Sequence, residues 1–166
     1  MKKRLFILSA LMLLSLSAWS QSLVSAFLKD SGEELLKSAM QVNISGKILR
    51  LAAAADSNID LETKKLFESI DRINAVVGLS VDNNRRNQLE AQLAPFEELL
   101  SVVEEGRSIR MYTRETKGQI EEFVLYVIEG NEMTLMSIVG KIDLKRIAGL
   151  AGNLQIDGME HLDKIK

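Results

Sequence analysis

The amino-acid sequence predicts an α+β fold: a mainly antiparallel sheet with a C-terminal three-strand meander, packed by helices in two layers. Three observations carry that expectation. In the last third of the chain, 107–114, 120–128 and 133–139 are strand-like runs joined by the turn dipeptides Lys117-Gly118 and Gly130-Asn131. Upstream, apolar residues recur at helical spacing in several segments, with only two stretches of strand-like alternation between them. A content of 46% hydrophobic and 27% charged residues with a single Pro belongs to a chain that buries a core, not to a disordered linker.

Residues 1–20 read as a secretory signal peptide, with Lys2, Lys3 and Arg4 ahead of an apolar stretch from Leu5 to Ala18, and small Ala18 and Ser20 at the cleavage positions. Ser9, Ser15, Ser17 and Ser20 dilute the stretch below the about 20 apolar residues of a membrane anchor. The expected mature chain starts at Gln21 and works in the periplasm or outside the cell, with no membrane span. One domain over 21–152 and a C-terminal tail or short helix over 153–166 account for the rest. Loss of the three leader cations leaves 18 Lys and Arg against 23 Asp and Glu, a charge of about −5 that disfavours nucleic acid as a partner. There is no Cys, so disulfides, a thiol nucleophile, Cys-ligated metal and a lipidated N-terminal cysteine are all excluded; the protein is not a lipoprotein.

From Ser22 to Met40, Leu23, Phe27, Leu35, Leu36 and Met40 suggest one helix broken at Asp30-Ser31-Gly32, or two short ones. Val42 and Ile44 alternate with polar neighbours as a short strand, and Lys47 to Ala55 is helical by its Ala run and the spacing of Ile48, Leu51 and Ala55. Asn58 and Asp60 are cap side chains for a helix over Glu62 to Asp71. A strand follows from Ile73 to Val81, closed by Asp82-Asn83-Asn84. Leu89, Leu93, Phe96, Leu100 and Val103 fall on one stripe, which predicts a long helix from Arg85 to Glu105 kinked at Pro95.

In the meander, a two-residue turn at Lys117-Gly118 sets Arg114 opposite Glu121, Tyr112 opposite Phe123 and Met111 opposite Val124. The middle strand is apolar on both faces, so it should be central. Either helices cover both faces, or one face is an apolar patch open to a partner. After Gly140, Ile142, Leu144, Ile147 and Leu150 follow helical spacing.

Several segments resemble a known family. They are Val42-Asn43-Ile44-Ser45 leading into a helix, the strand from Arg110 to Arg114, Gly118-Gln119-Ile120-Glu121-Glu122-Phe123, and Ile138-Val139-Gly140-Lys141-Ile142-Asp143-Leu144. With the leader and the overall length, they are similar to the domain of unknown function 4252 family, small exported proteins found mainly in Bacteroidetes. The resemblance implies a Gram-negative envelope location and an α+β fold; it carries no established activity and no catalytic residues.

The residues themselves show no catalytic constellation. His161 is the only histidine and stands in the tail, where a triad or metal site would lack rigid support. Asp56 to Glu62 lacks the central Gly and distal Glu of a calcium loop, and Gly149-Leu150-Ala151-Gly152 lacks the Lys of a phosphate loop. No cofactor and no metal are expected. The leading expectation is a non-enzymatic interaction or ligand-binding module of the bacterial envelope. It would use a sheet face or the edge carrying Arg110, Tyr112 and Arg114, with another envelope protein or a second copy as partner. The alternative is a carboxylate-dependent hydrolase of envelope glycans, in which Glu122 and Asp143 meet near the sheet end as acid and base.

Overall fold

A computed structural model describes residues 21–32, 37, 39–80 and 82–147. The expected signal peptide, the C-terminal tail with His161, and Leu35 and Leu36 of the expected second N-terminal helix lie outside the described residues. Helix α1 (Leu23–Ser31) starts at Ser22, whose hydroxyl accepts the Ser25 N–H at 3.2 Å. Strand β1 (Met40–Ser45) runs directly into α2 (Gly46–Ala55), and α3 (Leu61–Ser69) begins at Asp60, whose carboxylate accepts the Thr63 N–H at 2.9 Å. The hydroxyl and N–H of Thr63 hold the Asp60 carboxyl below its ordinary value. Of the two expected cap side chains only Asp60 caps α3; the Asn58 N–H instead donates to Asp56 in the turn before it.

Strand β2 (Ile70–Ser80) leads to α4 (Asn83–Leu93), which Asp82 caps. Strands β3 (Glu97–Glu104), β4 (Arg107–Thr116), β5 (Gln119–Glu129) and β6 (Glu132–Ile142) follow as consecutive hairpins, and a helical turn spans 144–147. All six strands form one sheet in the order β1-β2-β6-β5-β4-β3, antiparallel at every junction. The fold is α+β with the expected meander at its centre.

Three details differ from the sequence reading. The long helix over 85–105 stops at Leu93, because Pro95 cannot donate and restricts the residue before it; the apolar run 99–103 then pairs with β4 as edge strand β3. The hairpin register is also displaced. Lys117 and Gly118 do form a two-residue turn, both at positive φ, with Thr116 opposite Gln119. A bulge then takes Glu121 out of the ladder, so Arg114 faces Glu122, Tyr112 faces Val124 and Met111 faces Leu125. A one-residue shift exchanges the faces of β4 relative to β5.

Finally, helices lie on both faces, so the expected two layers become three. On one face, Leu23, Val24 and Phe27 of α1 and Leu89 and Leu93 of α4 pack on Val76, Tyr112, Val124, Tyr126 and Leu135. On the other, Leu66 of α3, Leu49 of α2 and Ile147 pack with Met111, Phe123, Leu125 and Ile138. The doubly apolar β5 requires this: either face left bare would expose a large apolar patch. Among the described residues no helix is long and apolar enough to cross a membrane.

Tyr126 sits in the first of these clusters, and its buried hydroxyl has no hydrogen-bond partner among the described residues. Burial pushes that hydroxyl up to about 12. Tyr126→Phe removes an unsatisfied polar atom while keeping the ring, so it is expected to raise stability by about 1 kcal/mol. A drop in the urea midpoint of this variant would show that the hydroxyl is bonded in solution.

Candidate functional site

A row of polar side chains crosses the otherwise apolar face beneath α1. Register brings Asn43 of β1 opposite Asn74 of β2, Asn74 opposite Ser137 of β6, and Glu122 of β5 opposite Arg114 of β4. Asn74 donates to Asn43 and accepts the Ser22 hydroxyl at 2.8 Å. The N-terminus of α1 points its unpaired N–H groups at this row. Leu23 N–H donates to Glu122 Oε1 at 2.7 Å and Val24 N–H to the Ser137 hydroxyl oxygen at 3.4 Å. A carboxylate at a helix N-terminus also meets the positive end of the helix dipole.

Glu122 is fully buried. Burial raises its carboxyl above the ordinary value, against the Leu23 N–H, the Ser137 hydroxyl and the charges of Arg114 and Arg72. Arg114 Nη2 stands 2.8 Å from Glu122 Oε2, a charge contact without the alignment of a hydrogen bond. The guanidinium lies over the Phe96 ring at 5.2 Å from its centroid, and its buried Nε–H has no acceptor among the described residues.

Beside this pair the end of the sheet opens into a cleft of about 370 Å³. Its walls come from Asp71 and Arg72 of β2, Arg114 of β4, Gln119 and Glu121 of β5, and Val139, Gly140 and Lys141 of β6. The cleft exists because the ladders are interrupted at one level. Pairing steps from Ile70↔Gly140 to Arg72↔Val139, leaving Asp71 as the extra residue of β2. It steps from Ile120↔Ile142 to Glu122↔Val139 between β5 and β6, passing over Glu121 on one strand and Gly140-Lys141 on the other. Bulges turn side chains out of the alternating pattern, and the charged residues Asp71, Glu121 and Lys141 all line the cleft. Gly140 has φ +152°, and a Cβ there would stand 2.2 Å from the Ser69 carbonyl oxygen.

The residues singled out from sequence separate into three places. Arg114 and Glu122 meet, and Arg114 borders the cleft. Arg110 and Tyr112 lie under α4: Arg110 is 3.7 Å from Glu90, and its hydrogen bond with Tyr112 holds the guanidinium above its ordinary value. Burial raises the Tyr112 hydroxyl, which Glu98 also contacts. These three do not form an exposed edge, because β3 covers the outer side of β4. Asp143 caps the turn after β6, accepting the Lys145 N–H at 3.0 Å with Arg146 at 3.6 Å. Glu122 and Asp143 thus stand in separate ion pairs.

Sequence reasoning passed over Asp71, Arg72, Gln119, Glu121 and Lys141 as site residues, and Asn43, Asn74 and Ser137 as a buried row. The available signals were Gly140 inside a strand pattern, which marks a bulge or close approach, and single polar residues inside apolar strands. Among the described residues no group of three or more His, Cys, Asp or Glu is placed to hold a metal ion.

Comparison with known proteins gives one match. Residues 34–150 match the family described as Domain of unknown function (DUF4252). No curated protein and no solved structure matches the chain. The match spans every strand of the sheet and the whole lining of the cleft, and the chain belongs to the DUF4252 family.

Proposed function

We propose that this protein is a non-enzymatic ligand-binding module of the bacterial envelope, and that its ligand occupies the cleft at the end of the sheet. The observation that carries this reading is the convergence of bulges in β2, β5 and β6 on one level, with charged Asp71, Glu121 and Lys141 lining one cavity. Three coincident departures from regular pairing cost ladder hydrogen bonds and add nothing to the core, which is the pattern of a binding site. The leader-like first 20 residues support a place outside the cytoplasm.

Two other readings have less support. A partner docked on the sheet itself would compete with α1 and α4 on one face and with α2 and α3 on the other. A glycan hydrolase built on Glu122 and Asp143 would need the two carboxylates on either side of one bond, whereas each is held by its own arginine.

Native mass spectrometry of the chain recovered from an envelope fraction tests the proposal. The expected spectrum shows a polypeptide beginning at Gln21 that carries a small polar adduct, which is lost in a Glu121→Lys, Lys141→Glu double variant. A chain that keeps residues 1–20, or that shows no adduct and no thermal shift with any small polar solute, would overturn it.

A further inference from the structure

The geometry points to a small zwitterion as the ligand of the cleft, a molecule of amino-acid or short-peptide size with both an ammonium and a carboxylate group. This inference rests on the reading of the cleft as a binding site and names the chemistry it selects. The walls hold three cationic side chains, Arg72, Arg114 and Lys141, and two carboxylates, Asp71 and Glu121, with the buried Glu122 carboxylate against Arg114. Charges of opposite sign therefore nearly cancel within one cavity.

A ligand of single sign meets opposition in such a site. A phosphate or sulfate would gain the three cations but would stand beside Asp71 and Glu121; an amine would gain the acids and meet the cations. A ligand with both signs can set its carboxylate toward the cations and its ammonium toward the acids, and this disfavouring of the singly charged alternatives is what makes the site selective. Arg114 borders the cleft, and its planar guanidinium, set against Glu122 on one side, is of the type that receives a ligand carboxylate. Size agrees as well, since about 370 Å³ is at the small end of ligand cavities.

The test is an NMR titration of the ¹⁵N-labelled chain recovered after export with four probes: alanyl-alanine, its N-acetyl derivative, its C-terminal amide and inorganic phosphate. Alanyl-alanine is expected to shift the backbone amides of Asp71, Arg72, Glu121, Gly140 and Lys141, and to bind about tenfold or more tightly than either blocked form, the worth of one charge-assisted hydrogen bond. Glu121→Lys and Lys141→Glu, each with an unchanged denaturation midpoint, should weaken alanyl-alanine by a similar factor. If the N-acetyl derivative or phosphate binds at the same amides as tightly as alanyl-alanine, the zwitterion assignment fails while the cleft remains a binding site for anions. If the C-terminal amide does so, it fails in favour of a cation. If none of the four moves the cleft amides, or shifts appear only elsewhere, both the assignment and the reading of the cleft fall.

Discussion

Glu122→Ala is expected to lower the stability of the folded chain by about 3–5 kcal/mol, the usual cost of removing one partner of a buried ion pair. The change leaves Arg114, whose side chain is 19% exposed, without its anion, and leaves the Leu23 N–H without its acceptor at the start of α1. Urea denaturation of the two proteins measures it. Glu122→Gln keeps an acceptor for Leu23 and discards only the charge, so its loss should be smaller, and the pair of variants separates the hydrogen bond from the ion pair.

The same site gives a pH dependence of definite sign. Burial sets the Glu122 carboxyl above its ordinary value, so the folded chain holds the proton more tightly than the unfolded chain. The group's contribution is then most favourable below the unfolded pKa and is lost as pH rises through the folded one. Measured against Glu122→Gln, which has no such proton, the wild type should gain stability as pH is lowered through the carboxylate range. A relative loss on acidification would mean that the N–H and arginine contacts outweigh burial.

Gly140→Ala is the second large expected effect, a loss of about 2–6 kcal/mol from a strained backbone conformation and an overpacked contact. The added Cβ would meet the Ser69 carbonyl oxygen at 2.2 Å, and the Asp71 nitrogen and Ile70 Cα at 3.0 Å. All three are backbone atoms in an adjoining strand and helix end, so no side-chain rotation relieves the contact. Gly118→Ala is the control. It has φ +80° and open space around the added Cβ, so only the left-handed conformation is penalised, by about 1–2 kcal/mol. Equal losses in the two variants would show that β6 moves away from Ser69 without difficulty.

The elements most legible in the sequence were those defined by local chemistry. Lys117-Gly118 and Gly130-Asn131 marked the hairpins because each turn needs a glycine at positive φ, and Asp60 marked a capped helix start. Strand β3 was hidden because 99–103 is a short apolar run, which fits a helical stripe and a strand alike; Pro95 and the Glu105-Gly106 turn were the residues that could have decided it. The site was harder to see. Arg114 was expected to pair with a glutamate across the hairpin, yet the partner is Glu122 and not Glu121, and the difference is a bulge that no local residue pattern announces. Arg72 and Lys141 are far apart in sequence and meet only through the β2–β6 ladder, whose register depends on the whole sheet.

The docking of α1 has a temporal side. Leu23 lies 99 residues before the carboxylate that receives its N–H, and Val24 lies 113 before its serine. During synthesis α1 is made before all six strands, but its anchor does not exist until β5 and β6 have been completed. Until then the face that Leu23, Val24 and Phe27 cover lacks Val124, Tyr126, Met133 and Leu135, and the closing of so long a loop comes late in assembly. Helix α1 is thus among the last elements to take its place.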